Sequence, residues 1–287
     1  MHAILQAAQQ QRATDILNID NRIWFRVLGK LQSTPHTPVP FEGLPTGFER
    51  RSATHIRCLP TDLTLTSLQY PGEISTVMDF EKGLVILSGT KNSGKTTLLL
   101  HWLSTLQNRC VQSLIDLPTT QNVLWSNDQP DIQIVEITDE ASVFSALRNS
   151  IHHLVIAIVD ARNTNDALRH CTMLMNTYRP INVQSLMSEQ ICSLVNINLV
   201  QTVQQRLRPL ISITNCNESI ASLVEAGNFD KIEDSVQRGN GGLGSISADL
   251  QLAEWIKMRQ VQLDEAIRFA NYPATMRLRA SGIVHND

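Results

Sequence analysis

Cysteine is scarce and scattered. Cys58, Cys110, Cys171, Cys192 and Cys216 form no C-x-x-C pair, and no Cys/His cluster has the spacing of metal ligands. An odd, dispersed set of this kind points to reduced thiols in a cytoplasmic protein. Long apolar runs are missing too. None approaches the length of a membrane span, and the N-terminus lacks the charged-then-apolar order of a secretory signal. There is no excess of positive charge. A net charge of -3 argues against a strongly basic nucleic-acid-binding surface, so no nucleic-acid partner is expected. Neither an internal repeat nor a low-complexity block is present. What remains is 287 residues of ordinary globular composition, enough for one large core or two domains.

The most informative stretch runs from Gly83 to Leu100. Leu84-Val85-Ile86-Leu87 reads as a strand buried on both faces. A polar turn follows, and a helix opens at Thr96. Gly89, Gly94, Lys95 and Thr96 fit the spacing G-x-x-x-x-G-K-[ST] of a phosphate-binding loop. The chemistry needs these residue types. Backbone amides must curl around phosphate oxygens, which Gly89 and Gly94 permit, and Asn92 suits a left-handed position. Lys95 can reach the β- and γ-phosphates, the Thr96 hydroxyl can ligate Mg²⁺, and the helix adds the positive end of its dipole. The expected nucleotide-binding set is therefore Gly89, Thr90, Lys91, Asn92, Ser93, Gly94, Lys95, Thr96 and Thr97, with ATP and Mg²⁺ as the cofactors.

Around this stretch the pattern divides in two. Residues 1–12 read as a short helix, and 15–20 and 23–28 as strands joined by the turn Asp20-Asn21, a small α+β region. Pro- and Gly-rich residues 33–47 mark a loop, and 61–72 a connection between domains. Strands at 111–115, 132–137 and 154–159 then alternate with helices at 140–150 and 164–175, which predicts a mostly parallel sheet with helices on both faces. Beyond Met187 the pattern reads as largely helical, at 190–206, 218–226, 229–237 and 248–270, before a weakly patterned tail at 271–287. The expected boundaries are 1–65 for the small N-terminal domain and 66–287 for the core with its helical C-terminal part.

Several of these stretches together resemble the PilT-like type IV pilus retraction ATPases of the secretion-motor superfamily. Ala13-Thr14-Asp15-Ile16-Leu17-Asn18-Ile19 is similar to the family's A-S-D-L-H-L strand, and Ile56-Arg57-Cys58-Leu59-Pro60 to its R-x-I-P strand. Gly83–Leu87 with the phosphate loop is similar to G-L-V-L-V-T-G-P-T-G-S-G-K, and 219–244 to the C-terminal helices and Gly-rich turn. The resemblance covers nearly the whole chain. It implies an α/β fold: a P-loop, RecA-like core, a small PAS-like N-terminal domain and a helical C-terminal part. It further implies ATP hydrolysis by a ring, a hexamer, that works peripherally on the cytoplasmic side of the inner membrane, with the pilus platform and related pilus ATPases as partners.

The departures bear on catalysis. The family's second motif strand ends in Gly-Glu-x-Arg-Asp, its Glu acting as general base; here the place reads Val159-Asp160-Ala161-Arg162-Asn163. The acidic box keeps Asp116 but loses its following Glu, no His stands near Ser185, and the C-terminal Arg pair is absent from 219–225. Asp160 is the candidate catalytic carboxylate, with capping of the next helix as the alternative. Asp116 is a site residue or a turn cap, Arg57 an interface arginine or a surface one, and Arg162 a support for the motif strand or solvated. His152 and His153 read as ordinary loop residues. Two functions follow: a slowly hydrolysing motor subunit of the retraction class, or a nucleotide-binding regulatory or structural partner of an active ATPase.

Overall fold

The structure is a computed structural model. It describes residues 1–280 apart from 12, 14, 28–29, 38–47, 61, 107–108, 116, 118–122, 127–129 and 176–181, and without the side chains of 49–51. The chain divides into two compact units: Met1–Leu63 with Gln205–Leu207, and Thr64–Gln204 with Arg208–Asp287.

In the first unit, α1 (His2–Gln10) buries Ile4, Leu5 and Ala8 on one stripe. A five-stranded sheet follows, in the order β3 (Lys30–Ser33), β2 (Arg22–Val27), β1 (Asp15–Ile19), β5 (His55–Cys58), β4 (Phe48–Ser52). The β1–β2 turn is the expected one: Asp20 and Asn21 both sit at positive φ, 51° and 57°, as a two-residue hairpin requires. Ile16, Ile23, Phe25 and Ile56 close the core under α1. The Pro-rich residues 38–47 and the tail 281–287 lie outside the described residues.

The second unit is built on a seven-stranded sheet in the order β12 (Leu207–Asn215), β11 (Ile191–Gln201), β6 (Gly83–Gly89), β10 (Leu154–Asp160), β9 (Ile132–Glu136), β7 (Cys110–Ser113), β8 (Leu124–Trp125). Strand β6 is parallel to both β10 and β11, and β9 continues parallel to β10, so the sheet is mostly parallel as expected. Period-two alternation explains the unbroken apolar runs. Leu84 and Ile86 face one core with Val155, Ala157 and Val159, under α4 (Glu140–Asn149) and α5 (Thr164–Met175). Val85 and Leu87 face the other core with Ile156, Ile158 and Trp102 of α3 (Lys95–Thr105). Trp102 also donates its indole N–H to Ile74 O, which fastens to α3 the connecting segment that holds the short α2 (Leu65–Leu68).

The C-terminal half corrects the sequence reading. Residues 190–206 are not a helix. After the short α6 (Val183–Gln190), β11 and β12 form a hairpin that supplies two of the seven strands. Ile191, Leu194, Val195 and Leu199 recur at helix-like spacing, but pairing of β11 with β6 overrides that local pattern. Further on, α7 (Glu218–Glu225) and α8 (Ile232–Gln237) appear near their expected places, α8 preceded by a 3-10 turn at Phe229–Lys231. The expected helix 248–270 is two: α9 (Ala248–Lys257) and α10 (Leu263–Phe269). Part of the expected tail is a helix, α11 (Pro273–Ala280), tied back by Asp249, which accepts the backbone N–H groups of Asn271 and Tyr272.

Candidate nucleotide site

The loop forms as the spacing demands. Gly89 ends β6, and a Cβ there would lie 2.3 Å from Ser93 Oγ and 2.4 Å from Ile197 O, so no larger residue fits. Asn92 takes a left-handed φ of 65° and Gly94 a φ of 106°. The first helical hydrogen bond of α3 runs from Leu98 N to Gly94 O, so the amides before it face out of the helix N-terminus toward the turn. Thr90, Lys91 and Asn92 form the exposed rim of that turn, Ser93 is buried beneath it, and Thr96 and Thr97 are half-buried in the first helical turn.

Lys95 is poised at the centre. Its Nζ donates to Gly89 O at 2.6 Å, to Thr90 O at 3.0 Å and to Asp160 Oδ1 at 2.6 Å. The tertiary structure makes this contact, because parallel pairing sets Asp160 directly opposite Gly89. The lysine side chain is only 12% exposed, while that of Asp160 is 61% exposed and open to solvent beside the loop. Asp160 does not cap α5. That place belongs to Asn163, whose Oδ1 accepts from Asp166 N and whose carbonyl accepts from Ala167 N.

Arg162 is neither solvated alone nor aimed at the loop. Its guanidinium donates to Arg268 O near the end of α10, and its own carbonyl accepts from Asn196 and Asn198. The sequence reading did not single out those two asparagines. They share one buried face of β11: Asn198 Nδ2 donates to Asn196 Oδ1 at 2.7 Å, and Asn196 Nδ2 donates to Ser88 Oγ at 2.9 Å. The network ties the strand end before the loop to the turn after Asp160. Its signal was the i, i+2 spacing in Val195-Asn196-Ile197-Asn198, which shares a face only if the segment is a strand.

Other candidates are placed elsewhere. Arg57 lies in β5 of the first unit, opposite Asp15 and Glu49 in the sheet register. Asp116 lies outside the described residues. His152 and His153 sit in a turn with their rings edge to face, and among the described residues no His, Cys, Asp and Glu group could hold a metal ion. Burial pushes the Cys58, Cys171 and Cys192 thiols up to about 12, and Cys216 upward as well, so none supplies a thiolate at neutral pH.

The residues present fit a nucleoside triphosphate with Mg²⁺. Ser93 Oγ is buried in the loop without a hydrogen-bond partner among the described residues, Gly89 and Gly94 leave the backbone uncovered, and the donor set is an ammonium, a hydroxyl and a carboxylate.

No family model matches the sequence, and no curated protein matches it significantly. Solved structures do match. The pilus retraction motor PilT with bound ADP superposes with a TM-score of 0.73 at 15% identity, over 95% of this chain and 97% of that one. The fold is that of the PilT and DotB ATPases. DotB of Legionella pneumophila matches with a TM-score of 0.71 at 16% identity, over 93% of this chain and 94% of that one. DotB of Yersinia pseudotuberculosis matches at 0.71 and 14%, over 96% and 92%. The α/β architecture expected from the resemblance is thus the one found.

Proposed function

We infer that this chain binds ATP with Mg²⁺ and serves as a motor-type ATPase subunit of the pilus-retraction and secretion class. The observation that carries the reading is Lys95: its ammonium is held at a helix N-terminus between the phosphate loop and Asp160, in a fold shared along almost its whole length with an ADP-bound motor. Catalysis of phosphoryl transfer is mostly positioning and charge stabilisation, which is what such a site can supply.

Lys95 would exchange the loop carbonyls for phosphate oxygens, and the loop amides with Ser93 would cradle them. Thr96 would hold Mg²⁺, which when bound neutralises charge on the phosphate oxygens. Asp160, exposed beside the loop, would orient the attacking water. The products are ADP and phosphate. The subunit would act in a ring, a hexamer, on the cytoplasmic side of the inner membrane, against the pilus platform and alongside related pilus ATPases.

One observation favours a second reading, a nucleotide-binding partner with little turnover of its own. The carboxylate at the candidate base position is an Asp, one methylene shorter than Glu, and it is paired to Lys95. Calorimetric titration of ATP·Mg²⁺ into wild type and Lys95→Ala tests binding: full affinity in the variant would overturn both readings. Turnover of the purified protein, alone and mixed with its neighbouring pilus ATPase, separates them, since a partner would show activity only by raising that of its neighbour. A light-scattering mass that stays monomeric with and without an ATP analogue would remove the ring.

A further inference from the structure

The nucleotide reading leaves one buried carboxylate of the same unit without a task. Glu233 stands at the start of α8, 6% exposed, and lines a closed polar cavity on one side of the sheet. The cavity lies between β11, β12 and the helices α5, α8, α9 and α10. Its volume is about 10 Å³, the room of one water-sized particle. Strand alternation builds its floor. Asn196 and Asn198 of β11 line it, as do Ser212 and Thr214 of β12, while Ile197, Ile211 and Ile213 point into the other core.

What faces this cavity is oxygen. Glu233 accepts from Ser247 Oγ, Gln237 Nε2 and Asp249 N, all on Oε1, and its Oε2 receives no donor among the described residues. Ser212 and Thr214 are 6% and 3% exposed, and their hydroxyls make no hydrogen bond among the described residues. Asn198 commits its Nδ2 to Asn196 Oδ1 and Arg162 O, which leaves its Oδ1 for the cavity. The helix starts beside it are capped from within the protein. Asn163 Oδ1 accepts from Asp166 N at α5, and Ser247 Oγ from Leu250 N at α9. No Lys, Arg or His is among the described residues that line the cavity.

A water fits the space but leaves the carboxylate charge unanswered. A buried charge is paired, binds a metal ion or is neutralised by a proton. One carboxylate with two hydroxyls and an amide oxygen is the ligand set of a hard cation of single charge. Divalent ions fit worse. Mg²⁺ keeps several waters, for which there is no room, and Ca²⁺ gathers about six to eight oxygens and binds more weakly as the ligand charge falls.

We propose that this cavity binds one dehydrated monovalent cation, Na⁺ or K⁺, through Glu233 Oε2, Ser212 Oγ, Thr214 Oγ1 and Asn198 Oδ1. The site is separate from the phosphate loop and from the Mg²⁺ that accompanies a nucleotide there. Asn198 links the two, because its Nδ2 holds the carbonyl of Arg162 in the turn that follows Asp160. The ion thus fixes the amide that braces this turn, and joins β11, β12 and α8 at one point.

The test is thermal melting of the full chain, without nucleotide or Mg²⁺, in NaCl, KCl and choline chloride at equal ionic strength and pH. Choline is too large for the cavity and supplies ionic strength alone. Wild type should melt about 2–4 °C higher in NaCl or KCl than in choline chloride, the shift given by a ligand at about five times its dissociation constant, and the effect should saturate. Glu233→Gln removes the charge, and Thr214→Val removes one oxygen at nearly constant volume. In each, the difference between salts should vanish, whatever the variant's own melting temperature. Should Glu233→Gln fail to fold, Thr214→Val and Ser212→Ala each still remove a ligand and decide. Equal melting of wild type in the three salts means that the cavity holds a water only, and overturns the proposal. A salt-specific shift that survives in the variants puts the ion elsewhere and overturns it too. Neither result bears on ATP binding, so the nucleotide reading stands or falls by its own titration.

Discussion

Asp160→Asn is the substitution that reports most on this site, because it removes one charge and little else. In the structure, Asp160 Oδ1 accepts from Lys95 Nζ at 2.6 Å while Asn163 caps α5, so the change leaves the helix start intact. The ion pair holds the ammonium away from a phosphate. Its strength is limited by solvent, since the Asp160 side chain is 61% exposed. An exposed pair contributes about 0.2–1 kcal/mol. Releasing Lys95 should then tighten nucleotide binding by at most about fivefold, at 1.4 kcal/mol per tenfold. The measurement is calorimetry with ATP in EDTA, where only the phosphate contacts count. Turnover should move the opposite way. If Asp160 aligns the attacking water, its loss should lower kcat on the order of 10²-fold, the scale of a lost near-attack geometry. Tighter or equal binding with a collapse in kcat is the expected split. Unchanged kcat, or affinity in EDTA falling by more than about tenfold, would refute the reasoning. Asp160→Glu extends the carboxylate and should raise kcat. Val159 does not stand in its way, because it is fully buried in the core on the opposite face of β10.

Gly89→Ala should abolish ATP binding and lower the melting temperature, because its Cβ would sit 2.3–2.4 Å from Ser93 Oγ and Ile197 O; retained affinity by calorimetry would contradict the cradle. Asn196→Leu breaks the buried links to Ser88 and Arg162 O and strands polar partners, which costs about 1–3 kcal/mol. It should lower kcat more than it raises KM, and an unaltered kcat would dismiss the network as a positioning device. Glu233 is buried at α8, and desolvation pushes its carboxyl above the usual range despite hydrogen bonds from Ser247 and Gln237. The folded state then binds the extra proton, so stability is fully present below the unfolded value of about 4.3 and is lost as pH rises through the raised folded value. Asp249 is raised by burial and acts with the same sign. The melting temperature of Glu233→Gln relative to wild type should therefore climb as pH rises across that window, and a pH-independent difference would show that burial of the charge is not the cause.

The sequence by itself determined the loop and its flanks. The backbone turn of Gly89–Lys95 depends on conformational freedom at single residues, so residue type and spacing sufficed for it: Asn92 and Gly94 took positive φ, and the apolar run became β6. Helices with clear caps were legible for the same reason. Asp139 and Ser142 form a capping box at the start of α4, and 164–175 became α5 without change. Tertiary structure decided the rest, because it depends on which strand lies beside which. Residues 191–201 carry both a helical and a strand period, and only pairing with β6 chose between them. That choice put Asn196 and Asn198 on one face and Leu199 against the loop. The place of Asp160 likewise came from register. Its own segment leaves the capping and site roles equal, and parallel pairing with Gly89, 71 residues earlier in the chain, set the carboxylate on Lys95.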